Sequence, residues 1–235
     1  MKREMARVSL PSGESVSAIL DLPPGERPVS APGVIIAHGT GNDMENPILA
    51  ALADGMAGAG CPALRFNFPF KEKGLNAPDR PEKLEETMLA AYRYFREGAG
   101  LGLTKVIAAG KSMGGRIASQ TAAEGKMPVE GLIFLGYPLH HAGDTTMTAD
   151  TLHHVRVPML FFAGTRDPFC DLELLKSILA KSPVYWKVEV IEGGDHCFNL
   201  PEPMGIRKSE VFDRIVKAAV QWMQANFTGI LCCPS

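Results

Sequence analysis

The strongest constraint in this 235-residue sequence is its rhythm. Short, uninterrupted apolar runs return repeatedly, with longer segments of helical period between them. Gly33 to Ala37 (GVIIA), Lys105 to Ala109 (KVIAA), Leu132 to Leu135 and Met159 to Ala163 (MLFFA) show no alternation of polar and apolar residues, as expected of strands covered on both faces. Ala63 to Phe68 (ALRFNF) and Lys187 to Ile191 read as two further strands. Between these runs, Pro47 to Ala59, Pro81 to Arg96, Arg116 to Ala123 and Leu172 to Ala180 read as helices, and Val211, Ile215, Ala219 and Trp222 stripe a last one. Ahead of this βαβ pattern, Met5 to Leu10 and Val16 to Leu22 alternate apolar with polar residues and read as a hairpin. The pattern predicts an α/β fold with about eight strands, mostly parallel, helices on both faces, and ligands at the carboxyl ends of the strands.

A hydrophobic content of 46% supports a sizeable core, and no repeat or linker divides the chain, so residues 1–235 are expected to form one domain. The proline-rich stretches Leu22 to Pro32 and Asn76 to Pro81 read as ordinary connections. A formal net charge of -2 offers no basic surplus for nucleic acid or an anionic membrane surface, which favours a small-molecule substrate. The first residues read as a strand and not as a signal peptide, and no apolar run is long enough to span a membrane. Five scattered cysteines suit reduced thiols in a cytoplasm, and Cys232-Cys233-Pro234-Ser235 is a poor match to a prenylation box. Oligomerisation is possible but nothing indicates it.

The stretch AAGKSMGGRIAS, Ala108 to Ser119, admits two incompatible chemistries. Gly110-Lys111-Ser112 ends like a phosphate-binding P-loop, but the glycine that should open that loop is Lys105, inside an apolar strand, so the cradle of backbone amides is missing. The other reading is GxSxG: a strand runs into a sharp turn with Ser112 at its apex, and a helix follows. Gly110 and Gly114 then provide clearance where two backbone segments pass closely, and the helix N-terminus favours negative charge on an attacked substrate.

Serine is a poor nucleophile without a base, and the base needs an orienting acid. Both are present in the order serine, acid, histidine. Asp167 follows MLFFA in Gly164-Thr165-Arg166-Asp167-Pro168, and His196 follows KVEVI in Glu192-Gly193-Gly194-Asp195-His196. Each lies just past the carboxyl end of a strand, and with Ser112 they are expected to form a catalytic triad. Of the rival acids, Asp171 is expected to cap the next helix, and Asp195 is too close to His196 in sequence to face the required side of its ring.

An oxyanion hole should form beside the loop after the third strand, Ala37-His38-Gly39-Thr40-Gly41-Asn42-Asp43. The backbone N–H groups of Met113 and Thr40 are the expected donors, with Gly41 in reserve for the second. His38 is expected to steady the loop at the edge of the substrate site and not to act as a second base. His38, Gly41, Asn42, Phe70 and Tyr137 are the candidate substrate-binding residues, with walls from Thr40 to Asp43, Phe68 to Lys73 and Tyr137 to His141, and from Phe169 and Phe198. The histidine pairs His140-His141 and His153-His154 lack the companions of a ligand set, so no metal site is assigned, and the chemistry needs no cofactor. Cys170 and Cys197 are read as bystanders. The connection from Tyr137 to Val157 is too short for a multi-helix cap, so the site should be open.

HGTGNDMENP, GKSMGGRIAS, LGYPL, GTRDPF and EGGDHCF together resemble the α/β-hydrolase superfamily, in its dienelactone-hydrolase-like branch. They are more closely similar to the small hydrolase-like proteins grouped with a testis-expressed protein and with the third subunit of a non-specific-lethal chromatin complex. The resemblance covers about Pro32 to Asn199 and implies an α/β-hydrolase fold with Ser112 as nucleophile, Asp167 as acid and His196 as base. Dienelactone hydrolases proper use a cysteine nucleophile, so their substrate does not carry over. The closer group includes complex subunits, which keeps a binding or scaffolding role beside hydrolysis of an ester or thioester. Amide hydrolysis or acyl transfer would use the same groups.

Overall fold

The computed structural model describes residues 2–25, 31–140 and 150–228. His141 and the terminal Cys232 to Ser235 therefore fall outside the described residues. The strands are β1 (Lys2–Ser9), β2 (Ser15–Leu22), β3 (Gly33–Ala37), β4 (Ala63–Phe66), β5 (Val106–Lys111), β6 (Gly131–Leu135), β7 (Met159–Gly164) and β8 (Trp186–Ile191). They form one sheet in the order β1-β2-β4-β3-β5-β6-β7-β8. β1 and β2 pair antiparallel, as does β2 with β4, while every neighbouring pair from β4 to β8 is parallel.

The pleat sorts the apolar runs onto two faces. Val34, Ile36, Ile107, Ala109, Ile133, Leu135, Leu160 and Phe162 pack with helices α1 (Pro47–Gly58) and α7 (Lys208–Met223). The alternate residues Ile35, Ala108, Leu132, Phe134, Met159 and Phe161 face the layer of α3 (Pro81–Arg93), α4 (Met113–Ala123), α5 (Asp150–His154) and α6 (Leu172–Leu179). This double covering is why the runs carry no polar alternation. α2 (Pro69–Glu72) is a single turn within Phe68 to Lys73, the stretch expected to wall the site as a loop. No part of the described chain forms a separate cap domain over the sheet edge. Among the described residues, no helix is long and apolar enough to cross a membrane.

Two features depart from the sequence reading. α4 begins at Met113, immediately after the serine, because strand pairing and tertiary packing impose a helical first turn that Gly114 and Gly115 disfavour on their own. β4 also carries a buried charge, which an apolar-strand reading does not foresee. Arg65 donates from Nε to Asp21 Oδ2 at 3.0 Å and from Nη1 to the Met44 carbonyl at 2.8 Å, and Arg3 Nε reaches Asp21 Oδ1 at 2.6 Å. The ions are tolerated because each is matched by hydrogen bonds.

Candidate active site

The elbow is built where β5 meets α4. Ser112 has φ 50° and ψ -119°, a backbone state rarely adopted by residues with side chains. A Cβ on Gly114 would lie 2.5 Å from the Ala37 carbonyl oxygen and 2.6 Å from that of His38. A Cβ on Gly110 would collide with the backbone of Gly114 and Gly115. The glycines thus let α4 start against the end of β3, as well as letting the turn close on itself.

The loop after β3 presses on the same turn. A Cβ on Gly39 would stand 3.2 Å from both Lys111 O and Ser112 Cβ, and Thr40 Oγ1 lies 3.4 Å from Met113 Sδ. Met113 is the first residue of α4, where backbone N–H groups have no intrahelical acceptor. Thr40 and Met113, the expected oxyanion donors, therefore flank Ser112 as neighbours.

From the other side come the loops after β7 and β8. His196 Nδ1 and Asp167 Oδ2 are 2.7 Å apart, and the Asp167 side chain is fully buried. Asp167 Oδ1 accepts from the Phe169 N–H at 2.9 Å, which leaves its second oxygen directed at the imidazole. Phe169 stands edge-on to His196, with ring centroids 4.7 Å apart. Close passage of the two loops requires Gly164, whose Cβ would be 2.9 Å from Asp195 O.

The rival carboxylates are occupied elsewhere. Asp171 accepts from Leu174 N at 2.8 Å as the cap of α6. Asp195 accepts from Cys197 N, Asn199 N and Asn199 Nδ2 at 2.7, 2.9 and 2.8 Å. Partial burial opposes ionisation of Asp195, but these hydrogen bonds outweigh it and hold its carboxyl below the ordinary value.

Ser112 and His196 open onto one cavity of about 680 Å³, shared with Thr40, Gly41, Asn42, Met113, His140 and Phe169. Pro138 belongs to the expected wall Tyr137 to His141, but two further walls were not foreseen. Pro78, Asp79 and Pro81, read as an ordinary connection, line it together with Leu84, and so do Arg116, Ile117 and Gln120 along α4. The signal for the α4 wall was present in the spacing, because Ser112, Arg116 and Gln120 are separated by four residues each and share one helix face. Another hollow, of about 750 Å³, is bordered by Arg7, Leu10, Ala90 and Tyr94 and includes none of these groups.

The structure corrects three expected substrate contacts. His38, Phe70 and Tyr137 are all buried and lie outside the cavity lining. His38 faces Gly39 O from Nδ1 at 2.8 Å and accepts from Phe68 N at Nε2 at 3.0 Å, so the ring is neutral with its proton on Nδ1 and has no nitrogen left for substrate. Burial pushes its pKa down to about 4. Phe70 packs against His38 at a centroid distance of 5.6 Å, and Tyr137 places its hydroxyl 3.2 Å from Ser119 Oγ beneath α4. All three hold loops in place from behind, where the aromatic surface completes the core.

Phe198 is likewise buried, under the Lys111 ammonium at 5.6 Å from the ring centroid. Cys170 is buried and its thiol is pushed up to about 12 by desolvation, whereas Cys197 reaches the cavity. Among the described residues, no cluster of His, Cys, Asp and Glu is arranged to hold a metal ion.

A twisted, mostly parallel sheet with a strained serine turn at its carboxyl edge and a histidine–aspartate pair on two neighbouring loops is the framework of the α/β hydrolases. The chain belongs to that family: residues 30–224 match the model described as "Alpha/beta hydrolase domain". Among solved structures it is similar to the dienelactone hydrolase of Anabaena variabilis ATCC 29413 (19% identity, 96% of this chain and 98% of that one, TM-score 0.76). It is also similar to Est1E of Butyrivibrio proteoclasticus with ferulic acid bound (19%, 94% and 98%, TM-score 0.77). An alpha-beta serine hydrolase homologue from Coxiella burnetii aligns over 96% of this chain and 98% of its own, at 21% identity and a TM-score of 0.72. At these identities the likeness is one of fold.

Proposed function

We propose that the protein is a serine hydrolase that cleaves a small ester or thioester through an acyl-enzyme intermediate. The observation that carries this reading is the 2.7 Å contact between His196 Nδ1 and Asp167 Oδ2 in the cavity onto which the strained Ser112 opens. Asp167 keeps the proton on Nδ1, so Nε2 is free to take the hydroxyl proton as Ser112 Oγ attacks the carbonyl carbon. The negative charge that forms on the carbonyl oxygen is received by the N–H groups of Thr40 and Met113, at the positive end of α4. His196 then returns the proton to the departing alcohol or thiol. Water repeats the sequence on the acyl-enzyme and frees the acid.

Side chains and backbone amides supply every group in this scheme, so it calls for no cofactor. The substrate is a small acyl compound, with no nucleic-acid or membrane partner, and the setting is cytoplasmic. Within the family, we place the chain with the small hydrolase-like proteins of the testis-expressed and non-specific-lethal subunit group, on the motifs around Ser112, Asp167 and His196. A panel of 4-nitrophenyl esters and acyl thioesters of increasing chain length tests the reading. Turnover that disappears in Ser112→Ala is expected, and turnover unchanged by that substitution would contradict it.

A further inference from the structure

The cavity holds a cation that the proposed chemistry does not use. Arg116 lines it from α4, four residues after Ser112 and therefore about 6 Å further along the same helix face. The other charged groups at the site each hold a hydrogen bond within the protein, Asp79 through one of its two carboxylate oxygens. Lys111 Nζ donates to His196 O at 2.7 Å, Asp79 Oδ2 accepts from Phe70 N at 2.8 Å, and Asp167 is held by His196. Arg116 is different: among the described residues its guanidinium has no ion-pair or hydrogen-bond partner.

Its backbone is fixed, however, because its N–H donates to Ser112 O at 3.1 Å and its carbonyl accepts from Ser119 Oγ at 2.8 Å. Burial raises the pKa of the Tyr137 phenol beneath this turn, and the Arg116 charge works against that rise, so the guanidinium sits close enough to the protein interior to be felt there. Neighbouring surfaces at the cavity are apolar, from Met113, Ile117, Leu84 and Pro138. A half-buried guanidinium in such surroundings offers a fork of donors matched to a carboxylate, at a fixed distance from the nucleophile.

We propose that Arg116 is a substrate-binding residue and that the preferred substrate carries a carboxylate a few bonds from the scissile carbonyl. This inference rests on the hydrolase reading of Ser112. Apolar walls hold the carbon chain, Arg116 takes the carboxylate, and Gln120 extends the polar wall one turn further. The bound charge thereby sets how far the carbonyl reaches toward Ser112.

The test compares esters in matched pairs on the full chain. On the acyl side, the mono-4-nitrophenyl ester of adipic acid is set against 4-nitrophenyl hexanoate. On the alcohol side, the butyryl ester of glycolic acid is set against that of glycolamide. In at least one pair the wild type should favour the carboxylate member in kcat/KM. That ratio should fall about tenfold or more in Arg116→Gln, the loss expected for a charge-assisted hydrogen bond, and recover in part in Arg116→Lys. Since each ratio is taken within one protein, a general loss of active enzyme cancels. Cleavage of the neutral esters without carboxylate preference in either pair, or a preference that survives Arg116→Gln, overturns the inference and leaves the hydrolase reading intact. Absence of any cleavage, with no fluorophosphonate adduct on Ser112, overturns both.

Discussion

Lys111 Nζ donates to the carbonyl oxygen of His196 at 2.7 Å, so the residue beside Ser112 also anchors the loop that carries His196. Lys111 is only 2% exposed, and desolvation lowers its pKa below the ordinary 10.5. Lys111→Met keeps the bulk and removes the anchor. We expect kcat to fall about 10- to 100-fold, with a much smaller change in KM, because the imidazole drifts while the cavity stays. The pH dependence of stability gives a second check. Between the lowered pKa and 10.5 the unfolded chain holds a proton that the folded chain lacks, so wild type should gain stability relative to Lys111→Met as pH rises through that range. Denaturant titrations at several alkaline pH values measure this, and an unaltered kcat would show that the anchor has no part in positioning His196.

Asp167 and Asp195 offer a paired comparison of two carboxylates near one histidine. Asp167→Asn should lower kcat by about 10³- to 10⁴-fold, because the amide favours the wrong imidazole tautomer. Asp195→Asn alters only the turn that Asn199 and Cys197 close, and its loss should be far smaller, within about tenfold. Steady-state kinetics on both variants decide the assignment, and a larger loss in Asp195→Asn would reverse it.

His38 makes a claim about acid stability. Its pKa is pushed down to about 4 from 6.5 by burial, so between those values the unfolded state binds a proton and the folded state does not. Stability should therefore decline as pH falls through 6.5 and level off near 4, with a His38 contribution on the order of 3 kcal/mol at most. Urea unfolding of wild type and His38→Gln across this range isolates that contribution. Curves of the same shape in both proteins would mean that His38 is not buried in the neutral form.

The elbow glycine is expected to be as intolerant as its surroundings suggest. Gly114→Ala drives a methyl to 2.5 Å from the Ala37 carbonyl oxygen, which forces β3 and α4 apart. We expect a destabilisation of about 1–3 kcal/mol and a severe loss of activity, measured by thermal unfolding and ester cleavage. Gly41→Ala meets no atom within 4 Å and serves as the tolerant control for stability.

Much of this was legible in the chain because strands buried on both faces must be apolar throughout. GVIIA, KVIAA and MLFFA therefore marked the parallel sheet, and its topology placed the residues after β5, β7 and β8 along one edge. What local pattern could not convey was direction. His38 and Tyr137 lie in loops at that edge and Phe70 in the single turn α2, yet their side chains turn inward, because ring surface is better buried than exposed and the polar atoms find partners inside, the His38 nitrogens on backbone groups and the Tyr137 hydroxyl on Ser119 Oγ. The contribution of Pro78, Asp79 and Pro81 was hidden for a related reason. A connection becomes a cavity wall only through contacts with distant elements. The Arg65–Asp21 pair was obscured in the same way, since its partner lies on another strand.

The proposed hydrolase reading requires Ser112 to be a nucleophile activated by His196 and Asp167. Labelling the folded protein with a fluorophosphonate, followed by intact-mass and peptide analysis, tests this most directly. A single adduct on Ser112 is expected in wild type, slowed by orders of magnitude in Asp167→Asn and absent in Ser112→Ala. A folded wild-type protein that takes up no label, or one labelled equally after Ser112→Ala, would contradict the account.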